Sequence, residues 1–192
     1  MSFEDYKKKA IISYTDAKRE GLVDKDILRE LDKFNKLKDY YTTSSCSGRI
    51  LLLRKSVNDR KMMNAFYYKN HSAAKEGEII RAVHEYDENF ELWFKVEPYI
   101  LHAGCRDLDS AKKLLALCRK CGIKRAGINA WGRRIIVEII GTQHVEALLV
   151  EKGRVLVSDD YLKLLTIRAN QRLKLAKKVL HSFFKGSESF IK

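Results

Sequence analysis

Residues 91–121 read ELWFKVEPYILHAGCRDLDSAKKLLALCRKC. ELWFKV and YILHAGC are short runs rich in aromatic and aliphatic side chains, which predicts two strands. They join at Glu97-Pro98, where proline withholds a backbone donor and punctuates the ladder. On the second strand alternate side chains share a face, so Leu101 and Ala103 oppose His102 and Gly104. Asp107 is placed to cap the following helix, and Gly122 to stop it.

Working outward, residues 3–20 and 24–39 predict a pair of N-terminal helices. Gly21 stops the first and Asp24 caps the second. Ile27, Leu28, Leu31, Phe34 and Leu37 recur at helical spacing and give the second helix a core-facing stripe. YYTTSSCSGR at 40–49 is too polar for a core and reads as a connection, followed by the buried strand ILLLR. NAFYYKN predicts another strand, and Ser72 caps a short helix reaching about Tyr86. Strands are expected around AGINAW, RRIIVEII and EALLV. Ser158-Asp159-Asp160 opens a long terminal helix with acidic first-turn residues, and the tail GSESFIK is expected to fray. The expected class is α+β, a mixed β-sheet with packed helices. A single domain over 1–192 is expected, with a helical pair at 1–40, a core at 41–157 and a basic terminal helix at 158–185.

The net charge is +13 and the isoelectric point about 9.6. A balance this basic favours a polyanionic partner, because neutralising phosphates releases condensed counterions. Between Tyr161 and Lys185 there is no acidic residue, and Arg168, Arg172, Lys174, Lys177 and Lys178 are basic. Leu162, Leu165, Ala169, Ala176, Leu180 and Phe183 make an apolar stripe on the same helix. The stripe has a core to cover, so RNA phosphates are the expected partner of the basic side rather than a membrane. No apolar run reaches the roughly 18 residues needed to span a bilayer. The N-terminus has no secretory pattern, and a cytoplasmic location is expected. Cys118 and Cys121 have CxxC spacing, but no second ligand pair accompanies them, so they read as the last turn of a helix and no metal is expected.

Three polar sets adjoin apolar strands. Ser44, Ser45, Cys46, Ser47, Gly48 and Arg49 can present hydroxyls, backbone N–H groups and a guanidinium to an anion. Cys46 near Arg49 can also be read as a nucleophile. The second set holds Glu97, His102 and Cys105, with His102 a candidate proton acceptor. In the third, Glu138 interrupts the apolar run IIVEII and needs a partner, while Arg133 and Arg134 precede it.

Taken together, SSCSGRI, WFKVEPYILHAGCRDLDSAKKLL and AGINAWGRRIIVEI resemble the motifs of the wybutosine-synthesising methyltransferase family in its archaeal stand-alone form. The resemblance spans about residues 1 to 165. It implies S-adenosylmethionine-dependent N4-methylation of a tricyclic guanosine derivative beside the anticodon of phenylalanine tRNA. It also implies a fold that is not of the Rossmann type, and the sequence indeed lacks a Gly-rich loop after a first strand. On this reading His102 or Glu97 takes the ring proton. Ser44 to Arg49, Cys105, Arg133 and Glu138 contact substrate or cofactor, and the terminal-helix cations contact tRNA. N-methylation needs no covalent adduct, so Cys46 is expected to pack or touch cofactor. Two alternatives stay open: a non-catalytic RNA-binding module, and a Cys/His hydrolase or transferase built on Cys46 and His102.

Overall fold

The structure is a computed structural model that describes residues 1–56 and 65–190. Its helices are α1 (Phe3–Arg19), α2 (Leu28–Asn35), α3 (Glu76–His84), α4 (Leu108–Lys120) and α5 (Asp159–Ser187). Its strands are β1 (Tyr40–Cys46), β2 (Arg49–Lys55), β3 (Phe66–Asn70), β4 (Glu91–Glu97), β5 (Ile100–Cys105), β6 (Arg125–Ala130), β7 (Ile135–Ile140), β8 (Val145–Glu151) and β9 (Arg154–Val155). The class is α+β, as expected. The strands form two sheets rather than one mixed sheet, and every pairing is antiparallel: β1-β5-β7-β6 and β3-β2-β4-β8-β9. The reason lies in the connections. Strands adjacent in sequence, β1 and β2, β4 and β5, β7 and β8, belong to different sheets, so the Glu97-Pro98 join changes sheet instead of closing a hairpin.

The chain accordingly divides into two compact units. The first holds residues 1–47, 99–142 and 176–192, and the second holds 48–98 and 143–175. In the first unit, Leu101, Ala103 and Cys105 of β5 and Val137 and Ile139 of β7 form one face of the sheet. That face packs on Leu31 and Phe34 of α2, Leu114 and Cys118 of α4, and Leu180 and Phe183 of α5. In the second unit, Ile50, Leu52, Phe94 and Val96 pack with Ile79 and Val83 of α3 and Leu162, Leu165 and Ala169 of α5. Each fully buried Leu, Ile or Phe contributes about 1.5–3 kcal/mol relative to exposure, so each unit has its own hydrophobic driving force.

Several local expectations are met and several are corrected. Asp107 caps α4 by accepting from Ser110 N at 2.7 Å, and Ser158 caps α5 by accepting from Tyr161 N at 3.3 Å. Gly21 follows α1 with φ +71°, a left-handed value that glycine adopts without strain. Asp24 makes no side-chain cap on the short helical turn after it, because its carboxylate accepts from Ser47 N at 2.6 Å instead. Ser72 does not cap α3, which begins after Lys75; the Ser72 N–H donates to Asn70 Oδ1 at 2.7 Å. The polar YYTTSSC is a strand, β1, because β5 satisfies its backbone groups. The tail stays helical to Phe190, whose ring stacks on Tyr40 at 5.2 Å. Asn64 of NAFYYKN and the last two residues of GSESFIK lie outside the described residues. Among the described residues no helix is long and apolar enough to cross a membrane.

Candidate active site

The face of the first sheet opposite α2, α4 and α5 carries a polar row. Ser44 of β1 pairs with His102 of β5, and His102 pairs with Glu138 of β7. The side chains follow this register. His102 Nδ1 lies 2.6 Å from Ser44 Oγ, and His102 Nε2 lies 2.8 Å from Glu138 Oε2. With Nε2–H donated to the carboxylate, Nδ1 is left as the acceptor for the Ser44 hydroxyl. Ser44 is exposed, while the His102 and Glu138 side chains are only 23% and 32% exposed.

A β-bulge places Ser44 in this row. The β1–β5 register shifts between Thr42 and Ser44, so Tyr41 and Ser44, three residues apart, stand on one face. Buried Asn35 supports the kink, its Oδ1 accepting from Thr42 N at 2.8 Å and from Thr42 Oγ1 at 3.1 Å. The row above pairs Tyr41 with Gly104. A Cβ at Gly104 would sit 2.2 Å from Tyr41 Cζ, so the glycine lets the ring lie against the strand. On the far side Glu138 pairs with Gly127 of β6, where an added Cβ would meet nothing within 4 Å.

Beside Ser44, α1 and β1 bound a cavity of about 610 Å³. Its lining includes Tyr6, Lys9, Tyr14, Tyr41, Ser44 and Arg134. The space exists because α1 offers Ala10, Ser13 and Ala17 to it, side chains too small to fill the gap. Polar ties hold the helix at both ends. Glu4 pairs with Arg106 at 2.8 Å and Lys7 donates to the Leu37 carbonyl. Tyr14 and Lys18 both bind Asp32, at 2.8 and 2.7 Å. Burial is the largest influence on the Tyr41 hydroxyl and raises its pKa, while the nearby Arg134 charge pulls it down.

The remaining sequence candidates fall in several places. Arg49 and Glu97 lie in the second unit and pair with each other, Arg49 Nε to Glu97 Oε2 at 2.7 Å. The Arg49 guanidinium also sits 4.8 Å over the Phe66 ring, so Glu97 is a charge partner before it is a base. Cys105 points into the core of the first unit on the face opposite His102, and burial pushes its thiol up to about 12. Ser45 and Cys46 are half-buried, while Ser47 and Gly48 are buried. Arg133 is exposed, whereas Arg134, one residue on, lines the cavity. Sequence parity offered that signal: Arg134 is in phase with Glu138 and out of phase with the core residues Val137 and Ile139. On α5, Arg168, Arg172, Lys174 and Lys178 are exposed. Lys177 pairs with Asp26, which draws its charge inward. Cys118 is fully buried and its thiol is also pushed up to about 12 by burial.

A histidine backed by a carboxylate and bonded to an accessible hydroxyl, beside a roomy cavity, is an arrangement that can move a proton. The chain belongs to the family described as Methyltransferase TYW3, whose model matches residues 5–188. A relative in Pyrococcus abyssi is 40% identical over 183 residues, covering 95% of this chain and 94% of its own. It is named tRNA(Phe) 7-((3-amino-3-carboxypropyl)-4-demethylwyosine(37)-N(4))-methyltransferase 1. A relative in Methanocaldococcus jannaschii, named as the same methyltransferase, is 37% identical and covers 94% of each chain. A solved structure of a Pyrococcus horikoshii protein superposes with a TM-score of 0.92 at 34% identity, covering 98% of this chain and 95% of that one. The protein is therefore a methyltransferase of this family.

Proposed function

We propose that this chain methylates N4 of 7-(3-amino-3-carboxypropyl)-4-demethylwyosine at position 37 of phenylalanine tRNA, in the cytoplasm, with S-adenosylmethionine as donor. The names of its relatives support the substrate. The observation that carries the chemistry is the Ser44–His102–Glu138 row. A ring N–H must lose its proton as the new N–C bond forms. Both His102 nitrogens are engaged, so the base acts through Ser44. The exposed hydroxyl oxygen takes the ring proton while its own proton passes to Nδ1, and Glu138 stabilises the resulting imidazolium. No covalent adduct is needed, so Cys46 has no nucleophilic part.

Size and lining support a donor site in this unit. Nucleoside-sized ligands occupy cavities of roughly 300–1,000 Å³, and the α1–β1 cavity of about 610 Å³ lies within that span. Tyr6, Tyr14 and Tyr41 would hold it, since aromatic faces attract cationic groups such as a sulfonium. Bound, it supplies an electrophilic methyl group. Arg168, Arg172, Lys174 and Lys178 would meet tRNA phosphates. Nucleoside mass spectrometry of phenylalanine tRNA, with and without the protein, tests the reading. Conversion of the demethyl nucleoside to a product one methyl group heavier is expected. Unchanged nucleosides in the presence of bound tRNA would leave an RNA-binding module instead.

A further inference from the structure

We infer that Arg134, with Lys9, forms a carboxylate clamp at the α1–β1 cavity for a 3-amino-3-carboxypropyl chain attached to a purine-type nucleoside. The inference rests on the methyl-transfer reading for the identity of the ligands, and on the cavity itself for the chemistry.

Arg134 lines the cavity and is exposed. Its guanidinium carbon lies 5.9 Å over the Tyr6 ring, and among the described residues no carboxylate forms an ion pair with it. The half-buried arginines of the described chain are already neutralised, Arg49 by Glu97, Arg54 by Glu88, and Arg106 by Asp39 and Glu4, whereas Arg134 is exposed and sets its charge at the cavity. Arg134 thus brings a planar, always-charged fork to a cavity without a protein anion to answer it. Lys9 adds a second cation to the same lining, with its ammonium 3.4 Å from Met1 Sδ. Two cations and three tyrosines suit a ligand with an aromatic body and an anionic end. Guanidinium binds carboxylate with paired, charge-assisted hydrogen bonds.

Two molecules of the proposed reaction carry this end group. The nucleoside in the relatives' names bears a 3-amino-3-carboxypropyl chain. The methyl donor bears the same chain on its sulfonium. A clamp for that chain would discriminate against any nucleoside lacking it.

Calorimetry on the whole protein tests this without reference to turnover. S-adenosylhomocysteine carries the chain, and 5′-methylthioadenosine is its counterpart without it. If the clamp serves the donor, wild type prefers the first by about tenfold or more, the range of a charge-assisted contact, and Arg134→Met and Lys9→Met erase the preference. If it serves the nucleoside, Arg134→Met leaves both compounds unaffected. It then weakens binding of tRNA that carries the chain to the level of tRNA that lacks it. Either pattern supports the clamp and names its source. Unchanged selectivity in both ligand pairs overturns it. Arg134 is exposed and both substitutions keep an unbranched side chain, so folding is retained. If wild type shows Arg134-dependent selectivity but tRNA gains no methyl group, the clamp stands and the methyl-transfer reading falls.

Discussion

The polar faces of the two sheets spend their charged residues differently. In the second unit, Glu146 accepts from Lys55 and Lys95, both at 3.0 Å, and Lys55 also sits 4.3 Å over the Trp93 ring. Arg49 answers Glu97, and Arg54 answers Glu88. Each of these charges has an opposite charge beside it. In the first unit the corresponding face holds a histidine with an acid on one nitrogen and an exposed hydroxyl on the other, and Arg134 stands at a cavity without an anion. In the proposed function, the basicity and charge left unanswered in the first unit serve the ligand.

The largest way to break this contrast is to strip the row. His102→Ala is expected to lower single-turnover methyl transfer by about 100-fold or more, the usual contribution of a positioned base. Ser44→Ala should cost nearly as much, while Glu97→Gln in the second unit should leave the rate within a fewfold of wild type. A dead Glu97→Gln with active His102→Ala would reverse the assignment of the two units.

Next in size are the positioning residues. Asn35→Leu removes the acceptor that holds the Thr42 bulge, and leaves the Thr42 N–H unpaired in a buried place at a cost of about 1–3 kcal/mol. Activity should fall by more than stability accounts for, because Ser44 loses its place in the row. Gly104→Ala sets a methyl group against the Tyr41 ring and should lower the melting temperature for the same reason that overpacking costs about 1–3 kcal/mol. A fully stable Gly104→Ala variant would show that the ring shifts freely.

Alkali should weaken the fold. Burial raises Cys105 and Cys118 to about 12, and Tyr86 and Tyr99 to about 12 as well. A group raised in the folded state contributes stability that is complete below its unfolded value and is lost as pH climbs toward the folded one. Chemical denaturation should therefore show falling stability from about pH 9 upward, with Cys105 and Cys118 resisting alkylation until the chain unfolds. Flat stability to pH 11 would contradict their burial.

Smaller effects belong to residues outside the row. Replacing Lys174 and Lys178 with Gln should flatten the salt dependence of tRNA binding by roughly 0.7 to 0.9 in log–log slope per lost phosphate contact. Stability should change by at most about 1 kcal/mol per charge. Cys46→Ser should keep substantial activity, and its loss would bring covalent catalysis back.

Much of this architecture was legible along the chain. Asp107 and Ser158 announced their helices by cap chemistry, and ILLLR announced a buried strand by composition. The alternation around His102 correctly separated it from Leu101 and Ala103. The motifs around SSCSGR, His102 and Glu138 pointed to the family. What stayed hidden was set by distant partners. YYTTSSC is too polar to read as a strand until β5 supplies its hydrogen bonds. The bulge at Thr42 breaks strict alternation, so Ser44 could not be assigned to the face of His102 by counting. The change of sheet at Glu97-Pro98 leaves no mark, since strand patterns are the same whichever sheet receives them. Nor does a helix face of Ala10, Ser13 and Ala17 reveal that a cavity lies beneath it.

The central claim is that Ser44 and His102 remove the ring proton as one device. A double-mutant cycle in single-turnover methyl transfer measures this directly, using Ser44→Ala, His102→Ala and the pair together. Residues acting as a unit lose nearly everything with the first substitution. The double variant is therefore expected to be no slower than His102→Ala alone, within about twofold. A double variant whose loss equals the product of the two single losses would show that Ser44 and His102 act separately and would contradict the relay.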